Sequence, residues 1–412
     1  MSSSAAPRII IVYDYAYISG GQAKVALESA VGLANAGHDV TYFAAAGPAW
    51  PELERAGVKL ICLDQKSLLN EPNPLRAAAQ GIWNKTAATQ LAKLLATRTA
   101  ADTVVHVHGW AKALSPSIGP ILRRSGLPIV YTMHEYFLAC PTGCFYDFNL
   151  ERNCPLTPLS LACVTRNCDA RRYTHKIWRV ARQAVLKGFS GLPGDLRHII
   201  YISNLQRRVM SPYLPAGATL HNVSNPVSVA QNGPSPIPAD GKENPFVFVG
   251  RLSREKGGVI FAQAAQRANV PAVFIGEGPC ADDIRAANPA AEITGWLAPA
   301  DVMTRLRSAR ALVFPSLWYE CQPLTVYEAL ANGIPAIVSD NCAAREAIRD
   351  GETGVTFQSG NISALADQIS RLAQPGIAAR MGASAYENYW RDPLTLERHI
   401  AGLERVYALM RA

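Results

Sequence analysis

A strand–loop–helix–strand unit near the carboxyl end most constrains what this chain can fold into. The apolar run at residues 311–314 predicts a buried strand, and Pro323 and Gly333 stand where a following helix would begin and end. Residues 336–338 predict the next strand. The unit indicates a parallel α/β sheet, and its loop, residues 315–322, follows the carboxyl end of a strand, where such sheets bind ligands.

Two carboxylates flank the start of this predicted helix. Glu320 lies in the loop, and Glu328 is the one charged residue of a helix that is otherwise mostly apolar. A carboxylate on a mostly buried helix is costly unless it is hydrogen-bonded. We therefore predict that Glu328 has a partner, for which a bound ligand is a candidate. The alternative is two unrelated acids, because acids eight residues apart are common.

Strands and helices alternate along the rest of the chain. Apolar runs predict strands at residues 9–13, 40–44, 103–108, 128–133, 199–203, 246–249, 273–275 and 293–296. The 412 residues exceed what one hydrophobic core normally holds. Residues 231–244, rich in Pro, Gly and polar side chains, predict a linker. We predict an α/β fold with a first domain at 1–226, a second at 227–385 and a helix at 386–412 that crosses back.

Hydropathy and charge restrict the location and the partners. No apolar run approaches the ~20 residues of a membrane helix and no signal-peptide core is present, so a cytoplasmic protein is expected. Residues 151–210 hold eleven Lys and Arg against three acids, an excess equal to the net charge of +8. Together with Trp178 in the predicted helix 173–186, this segment suits an anionic membrane surface or a lipid-linked phosphate. A solvated face is the alternative, and no nucleic-acid-reading motif accompanies the cations.

Glycines and histidines also follow predicted strands. Gly20 and Gly21 precede the first helix, where glycine lets a ligand approach backbone N–H groups; a tight turn is the alternative. The G-x-G-x-x-G pattern is absent, which argues against a nicotinamide or flavin site. His134 and Glu135 follow the strand at 128–133, and His108 ends the strand at 103–108. All of these fall on the ligand side of a parallel sheet, although a lone histidine is more often structural.

Five of the nine cysteines crowd into one segment of the first domain. They are Cys140, Cys144, Cys154, Cys163 and Cys168. A reducing cytoplasm disfavours disulfides, and a structural zinc site is the other alternative to packing thiols. No Cys-x2-Cys pair is present and the spacings are irregular, so no metal ligand is assigned.

The second domain opens with a strand and a basic turn, G-R-L-S-R-E-K-G at residues 250–257. This is not a P-loop, because the G-x4-G-K-[ST] order is absent. Arg251 offers a planar fork to phosphate oxygens and Lys256 a compact charge. Two further strand ends carry Glu277 and Trp296.

These motifs together resemble those of glycosyltransferase family 4. The spacing of Glu320 and Glu328 is similar to the family's E-x7-E signature, and residues 250–257 are similar to its G-R-L-x-x-x-K-G turn. His134 matches the family's His-Asp pair, with Glu135 in the second place. The resemblance covers nearly the whole chain. It implies the GT-B arrangement of two Rossmann-like domains and retaining transfer of a sugar from a UDP- or GDP-linked donor to an acceptor hydroxyl.

The resemblance also implies roles for individual residues. Arg251 and Lys256 would hold the leaving diphosphate, Glu320 the donor sugar and Glu328 the ribose. The residues implied as catalytic are Glu320, His134, Arg251 and Lys256; those implied as donor-binding are Gly20, Gly21, Glu277, Trp296, Gln322, Pro323, Leu324 and Glu328.

No Asp-x-Asp motif occurs, so neither a metal nor any other cofactor is predicted. The expected partners are the nucleotide-sugar donor, a glycan or lipid-linked acceptor and an anionic membrane surface, in polysaccharide or glycolipid assembly. The alternatives are another GT-B enzyme, such as a nucleotide-sugar epimerase or a phosphorylase, and a non-catalytic glycan-binding relative.

Overall fold

Two parallel sheets form the framework of the protein in a computed structural model that describes residues 7–238 and 244–411. The first sheet has seven strands in the order β3-β2-β1-β4-β5-β8-β9, and the second has six in the order β12-β11-β10-β13-β14-β15. The predicted class of two parallel-sheet α/β domains is confirmed.

The strands of the first domain are β1 (Arg8–Tyr15), β2 (Val40–Ala46), β3 (Lys59–Cys62), β4 (Thr103–Val107), β5 (Ile129–Thr132), the hairpin β6 (Tyr146–Asp147) and β7 (Arg152–Asn153), β8 (His198–Tyr201) and β9 (Thr219–Asn222). Those of the second are β10 (Phe246–Val249), β11 (Ala272–Ile275), β12 (Glu292–Gly295), β13 (Ala311–Phe314), β14 (Ala336–Ser339) and β15 (Gly354–Phe357).

The helices lie on both sides of the sheets. In the first domain they are α1 (Gly21–Asn35), α2 (Pro51–Arg55), α3 (Pro74–Ile82), α4 (Lys85–Leu95), α5 (Ile118–Ser125), α6 (Leu161–Thr165), α7 (Tyr173–Val185) and α8 (Asn204–Met210). In the rest of the chain they are α9 (Gly258–Ala268), α10 (Ala281–Ala287), α11 (Pro299–Arg307), α12 (Leu324–Ala331), α13 (Ile362–Ala373), α14 (Ile377–Arg391) and α15 (Leu396–Arg411).

The central strands are apolar on both faces because helices cover both sides of each sheet. In β1, every residue from Ile9 to Tyr15 is buried, and Ile11 pairs in register with Tyr42 on one side and His106 on the other. β9 extends the first sheet beyond the last strand that the sequence predicts there. Its T-L-H-N sequence lies at the sheet edge with no buried side chain, so it lacks the apolar run that marks a strand.

The carboxyl-terminal helix α15 packs on α1 of the first domain. His399 contacts the Ser29 hydroxyl at 2.9 Å, and the Tyr407 hydroxyl contacts His106 Nδ1 at 2.7 Å. A Cβ on Gly32 of α1 would lie 2.7 Å from Ile400, so glycine lets the two helices approach closely.

The domain boundaries stay predictions. The boundary at 226/227 falls in a segment without helix or strand that follows β9, and the boundary at 385/386 falls within α14. Part of the predicted linker, residues 239–243, lies outside the described residues.

Across residues 7–238 and 244–411, none of the helices has both the length and the apolar content that crossing a membrane requires.

Candidate active site

The carboxyl ends of the two sheets face one cleft, where most of the predicted site residues lie. The first sheet brings Gly20 after β1 and His134 after β5; the second brings Lys256 after β10 and Glu320 after β13. The two sides are in contact, since a Cβ on Gly21 would lie 3.9 Å from Leu324 Cδ1. Residues far apart in sequence therefore share one site.

Lys256 and Glu320 form the charged centre of this site. The Lys256 ammonium donates a hydrogen bond to Glu320 Oε1, and the Trp318 indole N–H donates to the same oxygen at 2.6 Å. Lys256 Nζ also lies 5.2 Å from the centroid of the Trp318 ring, within the range of a cation–π contact. Glu320 Oε1 is thus held by two donors, and Oε2 has no hydrogen-bond partner in the described parts of the chain.

The backbone holds the loops of Lys256 and Glu320 together. Lys256 ends a 3₁₀ turn, Arg254–Lys256, and Gly257 follows with a φ of 73°, a left-handed conformation that favours glycine. A Cβ at Gly257 would lie 2.0 Å from the Pro315 carbonyl oxygen. The Leu317 N–H donates to the Glu255 carbonyl at 2.8 Å. Glycine is required here because the two loops touch backbone to backbone.

Glu328 lies half-buried on α12 and faces α1 of the first domain. Burial raises the pKa of its carboxyl, Lys24 works against that rise and Glu28 adds to it. Among residues 7–238 and 244–411 its side chain has no hydrogen-bond partner. The hydrogen-bond partner predicted for this carboxylate is therefore not one of the described residues, and a bound ligand remains the candidate.

Four further predicted site residues, one of them implied as catalytic and three as donor-binding, differ in exposure. Arg251 is exposed, and no described residue pairs with its guanidinium. Trp296 is 72% exposed, and its backbone N–H donates to Glu277 Oε1 at 3.2 Å, so this pair forms one wall. Gly20 is exposed with a φ of 149°, which suits glycine.

Gln322 lies in the wall between the domains. Its amide oxygen accepts from the Asn225 N–H at 2.7 Å, and its amide nitrogen donates to the Asn225 carbonyl at 3.2 Å. The oxygen and the nitrogen of its side-chain amide therefore both hold the backbone of Asn225, in the segment that follows β9. Pro323 is buried and precedes the first residue of α12, and Leu324 begins that helix.

Three buried or half-buried histidines line up behind the cleft. His134 Nε2 lies 3.0 Å from His108 Nδ1 with the rings stacked, and the His106 ring is tilted against the His108 ring with 4.0 Å between centroids. Burial, with a smaller contribution from His399, lowers the pKa of His134 to about 3. His134 therefore meets a ligand as a neutral ring.

The carboxyl of Glu135, next to His134, has a raised pKa. Burial raises its pKa to about 7, although the Phe137 N–H, at 2.7 Å from Oε2, works against the rise. A carboxyl with this pKa is partly protonated near neutral pH.

A polar cavity of about 260 Å³, which the sequence pattern does not predict, opens beside the loop at residues 16–20. It is lined by Tyr17, Ala46, Gly47, Pro48, Asp64, Gln65, Lys66, Ser67 and Asn70. These residues follow β1, β2 and β3, so the cavity lies at the same sheet edge as Gly20. The signal in the sequence was the polar run D-Q-K-S after β3.

Four cysteines of the first domain line a cavity together with a lysine. Cys140, Cys154, Cys163 and Cys168 line one small cavity, and all nine cysteines are free thiols. Lys176 is 1% exposed and its ammonium donates to Cys168 Sγ at 3.2 Å and to Cys163 Sγ at 3.5 Å. Burial alone would lower the pKa of Lys176. Cys168 and Cys163 have the opposite and larger effect, so the pKa of Lys176 is raised above its usual value. Within the described ranges, no group of three or more candidate ligands is placed to hold a metal ion.

The basic segment is smaller than its charge count indicates. Lys176 and Arg182 are buried, and Arg182 lies between the rings of Trp110, Phe137 and Trp178. Arg179 pairs with the buried Asp169 at 2.8 Å. Part of the positive charge is therefore buried or paired within the domain. Arg171, Arg172 and Lys187 are exposed.

Comparison with known proteins agrees with this architecture. Residues 20–192 match the family model described as glycosyl transferase 4-like domain, and residues 232–388 match that of glycosyl transferases group 1. Among solved structures, sucrose-phosphate synthase from Thermosynechococcus elongatus has a TM-score of 0.68 at 17% identity, covering 98% of this chain and 99% of its own. Anabaena HepE in complex with UDP has a TM-score of 0.63 at 14% identity, covering 98% and 100%.

Curated relatives match over shorter segments. A GDP-mannose-dependent alpha-mannosyltransferase of Mycolicibacterium smegmatis is 31% identical over 143 residues, 34% of this chain and 38% of the relative. A 2-deoxystreptamine N-acetyl-D-glucosaminyltransferase of Niallia circulans is 27% identical over 137 residues, 31% and 35% of the two chains. The chain thus spans little more than a third of the length of these relatives. With both family models matched in order and the GT-B fold present, the chain belongs to glycosyltransferase family 4.

Proposed function

We propose that the protein transfers a hexose from a nucleoside-diphosphate sugar to an acceptor hydroxyl with retention of anomeric configuration. The observation that carries this proposal is the Lys256–Glu320 pair at the meeting point of the two domains. Sugar transfer breaks the bond between the anomeric carbon and the diphosphate, so positive charge develops on the sugar and negative charge on the leaving group. A cation beside a carboxylate matches that separation of charge.

Each side chain of the site has a role in this proposal. Lys256 and the exposed Arg251 bind the diphosphate, which also faces the N–H groups at the start of α9. Glu320 Oε2 is directed to the sugar. Glu328, half-buried and with no hydrogen bond to its side chain from the described residues, accepts hydrogen bonds from the ribose hydroxyls. Trp296 and Glu277 contact the base. Neither a metal nor another cofactor is required.

The polar cavity beside Gly20 is proposed as the acceptor site. Its lining offers one carboxylate, one ammonium, amides and a hydroxyl, which suits a hydroxyl-rich glycan. Neutral His134 and the neighbouring Glu135 follow β5 at the carboxyl edge of the first sheet, and both can bind sugar hydroxyls. The proposed setting is the assembly of a polysaccharide or glycolipid.

The donor assignment is tested by thermal unfolding with UDP, GDP, ADP and TDP. A nucleotide at a hundred times its dissociation constant should add about 2.7 kcal/mol of stability. Transfer is then assayed with the matching nucleotide sugars. If none of the four nucleotides stabilises the protein, the proposed function is wrong. Sugar release or epimerisation that needs no added acceptor would favour another GT-B activity.

We also propose that the first domain docks on an anionic membrane through α7 and its neighbours. The exposed side chains of α7 include the apolar Ile177 and Tyr173, and Leu161 and Phe189 on either side of the helix are 80% and 74% exposed. Exposed Arg171, Arg172 and Lys187 flank these side chains. Apolar side chains bordered by cations match an interface that inserts among lipids and attracts anionic head groups.

Reversing Arg171, Arg172 and Lys187 to Glu should abolish sedimentation with anionic vesicles at low salt. Each cation near such a surface contributes about 1 kcal/mol, and salt screens the attraction. The matched control reverses three exposed arginines of the second domain, Arg267, Arg285 and Arg371, and should still sediment. If the wild-type protein does not sediment with anionic vesicles, the membrane proposal is wrong and these cations form a solvated face.

A further inference from the structure

The Cys-rich segment of the first domain, residues 140–168 and from here called the insertion, reaches the loop at residues 315–322 of the second domain. Cys144 and Tyr146 of the insertion form a buried cluster with Leu317, and Phe148 and Trp318 pack against that cluster. In a second link, Arg254 Nη1 donates to Glu151 Oε1 at 2.8 Å. The insertion therefore touches both loops that carry the charged pair, one next to Glu320 and one next to Lys256.

We propose that Trp318 is a positioning residue for Glu320 and Lys256, and that the insertion holds Trp318 in place. This inference rests on the proposed function, since it concerns how the donor site is arranged. Trp318 touches both charged groups: its N–H donates to Glu320 at 2.6 Å, and its ring lies against the Lys256 ammonium.

The hydrogen bond explains what positioning means here. A carboxylate can rotate about its last torsion, which is broad. With Oε1 fixed by Trp318 and Lys256 from two directions, Oε2 is left with one orientation. If Lys256 turns to a diphosphate, the indole N–H remains as the donor that holds Glu320. Trp318 thus keeps the Glu320 carboxylate in place while Lys256 binds the leaving diphosphate.

The insertion is built to be rigid at the point of contact. In the β6–β7 hairpin, Asp147 Oδ1 accepts the N–H groups of Asn149 and Leu150 at 3.0 and 3.1 Å, which fixes the turn. Arg166 Nε donates to the other oxygen of Asp147 at 2.5 Å. Tyr146 is fully buried and Phe148 partly buried. The wall behind Trp318 is therefore anchored within the first domain.

The first test replaces Trp318 by Phe, which keeps an aromatic ring and removes the N–H. A hydrogen bond to a charged group is worth about 10- to 100-fold in rate, so kcat should fall by that factor with little change in the donor KM. The matched control is Trp390→Phe, which removes an indole N–H that donates to the Ala331 carbonyl at 2.9 Å. The control should keep wild-type kcat, and both variants should unfold near the wild-type temperature.

A double-mutant cycle shows whether Trp318 acts through Glu320. In a Glu320→Gln background, Trp318→Phe should cause less than a two-fold further loss, because the charged acceptor is already gone. Equal losses of kcat in both backgrounds would overturn the positioning role. A Trp318→Phe enzyme as active as Trp390→Phe would overturn it as well.

The insertion is tested separately. Phe148→Ala should lower kcat about ten-fold by loosening the wall behind Trp318, and should add little in the Trp318→Phe background. Glu151→Arg should lower activity, and the reversed pair Glu151→Arg with Arg254→Glu should restore it. Full activity of Phe148→Ala would show that the insertion does not hold Trp318. A wild-type enzyme that transfers no sugar would instead contradict the proposed function.

Discussion

Lys256→Ala should lower kcat for sugar transfer by roughly two to three orders of magnitude. The ammonium is half-buried beside Glu320 and Trp318, where electrostatic interactions are stronger than in water. Without it, the charge that develops on the leaving diphosphate loses a donor held in place before the reaction begins. Arg251→Ala should lower kcat by a factor in the same range. Initial rates with saturating donor and acceptor measure the effect.

Lys59→Ala provides the matched control for this change. Lys59 is an exposed lysine paired with Asp39 at 2.8 Å, far from the cleft, and its loss should leave kcat unchanged. Lys256→Ala activity within a factor of two of wild type would contradict the diphosphate assignment. EDTA should not affect the wild-type rate. If EDTA abolishes transfer and Mg²⁺ or Mn²⁺ restores it, the metal-independent account is wrong.

The sheet framework was predictable because parallel strands buried on both faces read as continuous apolar runs. β1, β10 and β13 all stand out in this way, and the glycine, proline and charged residues after them place the site. The pairing of Lys256 with Glu320 follows from the order of strands, since β10 and β13 are neighbours in the second sheet. Local pattern and one topological rule were therefore enough to predict that Lys256 and Glu320 lie together in the candidate site.

What the sequence did not reveal depends on contacts between distant segments. Trp318 precedes Glu320 by two residues, but nothing local indicates that its N–H turns back to the carboxylate. Lys176 and Arg182 read as surface cations of a basic helix, yet thiols and aromatic rings from other segments enclose them. A charge count assumes that cations face water, and these two do not. The contacts of Gln322 with Asn225, and of Cys163 and Cys168 with Lys176, also join segments distant in sequence and could not be predicted from local pattern.

Asp14→Ala should destabilise the protein by about 3 kcal/mol or more. Asp14 is fully buried at the end of β1, and its carboxylate accepts the N–H groups of Lys112, Ala113 and Leu114 at 3.0, 2.7 and 2.8 Å. Each buried donor left without an acceptor costs about 1–3 kcal/mol. The segment at residues 112–114 would lose its hydrogen bonds to β1. Urea unfolding followed by circular dichroism measures the change.

Two variants define the mechanism of this loss. Asp14→Asn keeps an oxygen that can accept from Ala113 and Leu114, so it should cost clearly less than Asp14→Ala. Asp195→Ala removes an exposed acid paired with Arg123 and should cost less than about 1 kcal/mol. If Asp14→Ala is no worse than Asp195→Ala, the three hydrogen bonds do not stabilise the fold.

The pH dependence of the Asp14→Ala effect has a definite sign. Burial raises the pKa of Asp14 above 3.8, although the three N–H groups work against the rise. Just above pH 3.8 the folded protein therefore keeps a proton that the unfolded chain has released. The free energy of unfolding of the wild type then falls as the pH rises through this range, whereas the variant lacks this contribution. The stability gap between wild type and Asp14→Ala should narrow from acid toward neutral pH, and a gap that widens would show that the hydrogen bonds to the carboxylate outweigh its burial.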